Sequence, residues 1–168
     1  MAQDSASAGD LLEVYLNDHL AGSAAALDLV ERIRSQNEGT DLAAFLTGLR
    51  PEIEADKATL ETIMERLGVA TSSAKQLAGR VLEKLSRIRL DERVTGGPAV
   101  TRLMELESLS LGIDGKLALC RSLQRIAPAQ SALAEFDFAA LADRVTDQRD
   151  SVEPHRLAAA AEAFSSPA

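Results

Sequence analysis

Residues 41–68 read DLAAFLTGLRPEIEADKATLETIMERLG. Apolar side chains recur in this segment at intervals of three, four and seven residues: Leu42, Leu46, Leu49, Ile53, Leu60, Ile63 and Leu67. That spacing puts them on one face of an α-helix, the seam through which a helix packs in a bundle. Asp41 is a suitable N-cap and Gly68 a suitable terminator. Pro51 removes a backbone hydrogen bond, but the seam continues in phase across it, so we expect a kink near Thr47 rather than a break into two helices.

Three further segments carry the same helical spacing. The first begins at Asp10, with Glu13 three residues later as in a capping box, and ends before Gly39. Another spans residues 99–126 and is stopped by a proline. The last begins near Leu133 or Asp137 and continues almost to the C-terminus. Together with residues 41–68, these segments predict four bundle helices.

The connections between these helices differ in length. Two of them are short and predict antiparallel neighbours, whereas residues 69–98 are too long for a turn and long enough to run the length of a bundle. Part of that connection also has helical spacing. The sequence therefore predicts an all-α four-helix bundle over residues 10–164, with a long helical crossover between the second and third bundle helices. We expect residues 1–9 to be disordered and residues 165–168 to form a frayed tail.

The composition narrows the class of protein. Hydrophobic residues make up 46% of the chain and aromatic residues only 3%, which favours helices over strands. The net charge of −8 argues against binding to nucleic acid or to an anionic membrane, since both require a basic surface. No apolar run is long enough to span a membrane. The single cysteine, Cys120, excludes an intramolecular disulfide. Taken together, these features lead us to expect a cytoplasmic protein.

Two segments carry a resemblance to a known family. They are YLNDHLAG, residues 15–22 in the first helix, and EIEADKATL, residues 52–60 in the second. With the layout of the helices, they resemble small bacterial proteins of the ferritin-like superfamily, and the resemblance covers nearly the whole chain. It implies a bundle with one long crossover, which is the connectivity of that fold.

The metal motif of that superfamily is incomplete in this chain. Active di-iron members place a Glu on each of two helices and a Glu-x-x-His pair on each of the other two. The only histidines here are His19 and His155, and the residues three positions before them are Leu16 and Val152. The resemblance therefore does not imply di-iron oxidation chemistry for this chain.

Several polar residues nevertheless fall at positions that face the bundle interior. The seam of each helix places the following side chains inward: His19, Asp56, Ser110, Gln148 and His155. Glu107 and Asp114, seven residues apart, flank the seam of the third helix. The short turn between the first two helices puts His19 and Asp56 at a similar depth. A buried imidazole or carboxylate needs a partner, so these residues are expected to interact with one another.

Two arrangements satisfy these polar residues. In the first, His19 donates a hydrogen bond to Asp56, and the rest of the set completes a buried polar network that fixes helix register. In the second, His19, Asp56, Glu107 and Asp114 bind one divalent ion, for which imidazole and carboxylate ligands suit iron, manganese or zinc. The first arrangement predicts no cofactor, and the second predicts iron or manganese.

The leading functional hypothesis is a non-catalytic structural or protein-interaction bundle. We expect it to form a homo-oligomer, such as a dimer, through outward alanines and leucines, including Ala24, Ala25, Ala43, Ala44 and residues 158–161. The alternative is a divergent metal-binding protein that handles iron or manganese, or that acts in defence against oxidative stress. A pocket for a small apolar ligand or haem is a third hypothesis, which the low aromatic content disfavours.

Overall fold

The computed structural model describes residues 7–71 and 97–165. Most of these residues lie in four α-helices: α1 (Ala8–Gln36), α2 (Asp41–Arg66), α3 (Pro98–Ile126) and α4 (Phe138–Phe164). Between α3 and α4 the chain forms two short 3-10 helices, Ala127–Ala129 and Ser131–Leu133. The described residues contain no strand, so the prediction of an all-α fold with four helices is confirmed.

Side chains cap three of the four helices at their N-termini. The Ser7 hydroxyl accepts from the Asp10 backbone N–H at 3.2 Å, and the Asp10 carboxylate accepts from the Ser7 N–H at 2.9 Å. This capping box starts α1 directly after Ser7, so Asp10 closes the box and is not the N-cap itself. Thr40 rather than Asp41 caps α2, and Asp137 caps α4.

The two prolines inside helices do not interrupt them. Pro51 lies within a continuous α2 of 26 residues, and Pro154 lies within a continuous α4 of 27 residues. The alternative in which residues 41–68 split into two helices is therefore wrong. The buried seam on both sides of Pro51 offsets the hydrogen bond that the proline cannot donate.

The seam predicted for α2 forms its buried face. Leu46, Leu49, Ile53, Leu60 and Ile63 are buried, and the two terminal seam residues, Leu42 and Leu67, are half-buried. Helical spacing alone was sufficient to identify this face.

A tight turn makes α1 and α2 antiparallel neighbours. Gly39 has a φ of +79°, a left-handed conformation that glycine adopts without a steric penalty. The Asn37 amide closes the end of α1 by donating to the Ile33 carbonyl at 2.7 Å. Residues 37–40 thus reverse the chain direction.

The directions of the other helices follow from which residues share a core cluster. Near one end of the bundle, Leu16 and Leu20 of α1 belong to one cluster with Leu60 of α2, Leu123 of α3 and Phe138 of α4. The N-terminal parts of α1 and α4 therefore meet the C-terminal parts of α2 and α3. It follows that α2 runs parallel to α3, and α1 runs parallel to α4.

This topology requires a long connection. α2 ends at one end of the bundle and α3 begins at the other, so residues 67–97 join opposite ends. The expectation that this crossover is helical falls on residues 72–96, which lie outside the described part of the chain. The expectations of disorder in residues 1–9 and of a frayed tail over residues 165–168 fall mostly on residues 1–6 and 166–168, which also lie outside the described part. Within it, Ser7 caps α1, which begins at Ala8, and Ser165 is the C-cap of α4.

The four sides of the bundle are not packed equally. Close packing joins α1 to α2, α3 to α4, and α1 to α3, where Arg32 Nε lies 2.9 Å from Glu105 Oε1. Within the described residues, α2 and α4 are not among the closely packed pairs. Long polar side chains bridge the wider space between these two helices. None of the described helices is long and apolar enough to cross a membrane.

Candidate functional site

A buried carboxylate lies between α2, α3 and α4. Asp56 is one turn from both Ile53 and Leu60 on the seam of α2, and only 8% of it is exposed. The Arg144 guanidinium donates to its Oδ1, and the Lys116 ammonium donates to its Oδ2. Both oxygens of this carboxylate are therefore held by cations of the same chain.

Gln148 completes this arrangement. Its Nε2 donates to Asp56 Oδ2 at 3.0 Å, and its Oε1 accepts from Lys116 Nζ at 2.6 Å. Gln148 is 2% exposed and lies one turn after Arg144 on α4. We call Asp56, Lys116, Arg144 and Gln148 the Asp56 cluster. Because its members come from three helices, it fixes α2 against α3 and α4 on the side where backbone packing is loose.

The cluster contains two residues that the sequence reasoning placed in the interior and two that it missed. Asp56 and Gln148 were expected to face inward and are brought together. Lys116 and Arg144 were not selected, although each stands three residues after an apolar residue of the core, Ile113 of α3 or Leu141 of α4. Long cationic side chains at such positions are easily assigned to the surface. Their methylene stems pack on apolar residues, whereas their charged groups commonly extend into solvent. Their helical spacing from these apolar residues was the signal in the sequence that could have identified them as members of the cluster.

The predicted bond between His19 and Asp56 requires correction. In the part of the chain that the structure describes, no hydrogen bond joins them, because α3 and α4 already supply the partners of Asp56. His19 instead packs edge-on against Tyr15, with ring centroids 4.6 Å apart and an interplanar angle of 76°. Burial lowers the pKa of His19, and the nearby charge of Asp18 opposes this effect only in part. Burial therefore favours the neutral form of the imidazole.

The other predicted members of the polar network lie apart from the cluster. His155 stacks on Phe45, with ring centroids 4.2 Å apart. The Ser110 hydroxyl is buried, and no hydrogen-bond partner for it is found among the described residues. Within the described residues, neither side chain hydrogen-bonds to Asp56, whose partners are Lys116, Arg144 and Gln148.

The four predicted metal ligands are not gathered at one point. Glu107 lies 3.5 Å from Arg156, and Asp114 lies 3.8 Å from Arg149. Both carboxylates are about half exposed, since residues that flank a seam turn toward solvent. Within residues 7–71 and 97–165, no group of three or more His, Cys, Asp or Glu residues is placed to hold a metal ion. The predicted iron or manganese site is therefore not assembled from this set.

The Asp56 cluster borders a cavity of about 100 Å³ inside the bundle. Its walls are mainly apolar and include Ile53, Leu60, Ile63, Ile113, Leu119, Leu123, Phe138, Leu141 and Val145. His19, Asp56, Lys116, Cys120 and Arg144 also line it. His19 and Asp56 thus share a cavity wall even though they do not bond to each other.

The cysteine in this wall is not an activated nucleophile. Burial is the main cause that raises the pKa of Cys120, and the charge of Asp56 adds to it. Lys116 and Arg144 oppose the shift without reversing it. Since the thiolate is the reactive form, Cys120 acts as a small buried side chain at neutral pH.

Comparison of this chain with protein-family models, curated proteins and solved structures finds no match.

Proposed function

We propose that this chain is a ferritin-like bundle without a metal centre, and that it serves as a non-catalytic structural or interaction module. The parallel arrangement of α2 and α3, with a connection between opposite ends of the bundle, supports the ferritin-like assignment. The two short connections and the resemblance of residues 15–22 and 52–60 support it as well.

The state of Asp56 is the observation that carries this proposal. Ferritin-like enzymes use inward carboxylates to bind metal. Here the inward carboxylate of α2 is held by two cations and an amide, and those cations repel a divalent ion from the same place. The role of Asp56 in this proposal is to fix the packing of α2 against α3 and α4. A bundle held in this way would serve as a rigid helical scaffold.

Metal analysis tests this proposal. We expect protein purified without chelators, and then incubated with ferrous iron or Mn²⁺ and desalted, to retain well under one ion per chain. The measurement is elemental analysis by plasma mass spectrometry. Asp56→Asn and the exposed control Asp114→Asn are expected to retain the same trace amount. Stoichiometric iron or manganese that disappears in Asp56→Asn alone would establish the metal-binding alternative instead.

We also propose that the module self-associates as a homodimer through α4. Leu157, Ala161 and Phe164 are spaced by four and three residues, and so share one face of this helix. Leu157 is 53% exposed and Phe164 is 72% exposed. Among the alanines first expected to pack a second copy, Ala25 and Ala43 lie in the bundle core, as does one alanine of residues 158–161. The exposed face of α4 is the better candidate.

Light scattering coupled to size-exclusion chromatography tests the dimer. We expect wild-type protein to have the mass of two chains at high concentration, because pairing of this face removes apolar surface from water. Phe164→Asp is expected to reduce the mass to one chain. Leu111→Asp changes a residue of α3 that is 71% exposed, and should leave the dimer intact. A wild-type monomer at every concentration would remove this part of the proposal.

A further inference from the structure

The cavity has a polar side and an apolar side. Asp56, Lys116 and Arg144 supply its charged groups, and buried aliphatic residues together with Phe138 supply most of the remainder. Small-molecule sites in proteins commonly have this composition, in which apolar walls provide contact area and a few polar groups fix the orientation of the ligand.

The charges around the cavity do not balance. Lys116 and Arg144 each carry one positive charge, while Asp56 carries the only negative charge among the described residues that line the cavity. The neutral forms of His19 and Cys120 are favoured, because burial lowers the pKa of the imidazole and raises that of the thiol. One positive charge is therefore in excess at the wall of the cavity. The Lys116 side chain is 16% exposed and the Arg144 side chain 44% exposed, so solvent reaches part of this charge, and a single anion bound at the wall would neutralise it.

The two cations also retain unused donors. The Lys116 ammonium has three N–H groups, of which Asp56 and Gln148 take two. The Arg144 guanidinium has five, and in the described residues its hydrogen bonding is to Asp56. A carboxylate has two oxygens that accept charge-assisted hydrogen bonds from such groups.

We propose that this cavity binds a small organic monoanion, a short-chain carboxylic acid. Its carboxylate accepts hydrogen bonds from Lys116 and Arg144, and its hydrocarbon tail packs against Ile63, Leu123 and Phe138. The volume sets the size of the ligand. An engineered apolar cavity of about 150 Å³ holds benzene, so a cavity of about 100 Å³ suits roughly four to six non-hydrogen atoms. Butyrate is a molecule of this kind.

Two exposed glycines line the cavity. Gly22 of α1 and Gly112 of α3 both line it and are themselves exposed, so we expect its entrance to lie beside them. A Cβ atom at either position would meet nothing within 4 Å. Glycine inside a helix is destabilising relative to alanine, and no close contact among the described residues requires it at these positions. The absence of side chains leaves the entrance open.

Calorimetric titration and saturation-transfer NMR with butyrate test the proposal. We expect saturable binding of butyrate, and no binding of butanamide, which has the same shape without the charge. Arg144→Gln should weaken binding by roughly tenfold or more, because it removes a charge-assisted hydrogen bond. Arg149→Gln is the matched control, since Arg149 is on the same helix, pairs with Asp150 and does not line the cavity. Circular dichroism verifies that each variant is folded.

Closing the entrance provides an independent test. Gly112→Leu should abolish butyrate binding without unfolding the protein, because its side chain enters open space. Gly48→Leu is the control, since Gly48 is an exposed glycine of α2 that also has open space and does not line the cavity.

Equal binding of butyrate and butanamide, or undiminished binding in both Arg144→Gln and Gly112→Leu, would overturn the proposal. So would a wild-type protein that binds no butyrate at millimolar concentrations. This inference does not rest on the proposed structural role. The metal analysis of the protein has the same expected outcome whether or not the cavity binds butyrate.

Discussion

Replacing Asp56 with alanine is expected to lower the free energy of unfolding by about 3–5 kcal/mol. The substitution leaves the Lys116 side chain, which is 16% exposed, without its carboxylate partner. It also leaves the Gln148 Nε2 donor unsatisfied in the interior. Urea denaturation followed by circular dichroism measures the change. A loss below about 1 kcal/mol would show that the cluster does not hold the helices together.

Two comparisons separate this effect from a general loss of charge. Asp114→Ala removes a carboxylate that is half exposed and 3.8 Å from Arg149, so it should cost less than about 1 kcal/mol. The double variant Asp56→Leu with Lys116→Met replaces the buried ion pair with apolar side chains of similar size. It should be more stable than Asp56→Ala, because no uncompensated buried charge remains. The difference between the two variants thus measures the cost of a Lys116 ammonium without its carboxylate, because Gln148 loses its bond to Asp56 in both.

Leu106→Ala is the second substitution with a large expected effect, a loss of about 2–5 kcal/mol. Leu106 has no exposed surface, and it lies in the core cluster that joins all four helices. Truncation removes apolar contacts and leaves a cavity that the rigid helices fill only in part. The same denaturation experiment measures it.

The matched control for Leu106→Ala lies on the same helix. Leu111 is 71% exposed, so Leu111→Ala should change the free energy of unfolding by no more than about 0.5 kcal/mol. If the two variants lost equal stability, the assignment of the buried face of α3 would be wrong.

The helices and their buried faces were predictable because helical spacing is local information. The seven seam residues predicted for α2 are all buried or half-buried. Its capping residue was missed by one position, since Thr40 and Asp41 are both good N-caps and only the backbone conformation chooses between them. The inward positions of Asp56 and Gln148 also followed from helical phase.

The partners of Asp56 were not predictable in the same way. Helical phase shows which side chains of α2 face inward, but it does not show which neighbouring helix they meet. The wider spacing between α2 and α4 is a property of the folded bundle, and it gives Lys116 and Arg144 the room to reach Asp56. His19 shares the depth of Asp56 as expected, yet cations from α3 and α4 take both carboxylate oxygens. Glu107 and Asp114 fell beside the seam rather than on it, and so they face solvent.

The pairing of helices also bears on the order in which the chain folds. α1 and α2 are neighbours in sequence, as are α3 and α4, so each hairpin assembles by closing a short loop. Docking of one hairpin onto the other must close the long segment between them, and it brings together residues 60 to 92 positions apart, Asp56 with Lys116 and Gln148. Contacts so distant along the chain form late, because the entropy of loop closure opposes them until other contacts compensate. We therefore expect the contacts of Asp56 to form after the two hairpins, so that Asp56→Ala speeds unfolding more than it slows folding.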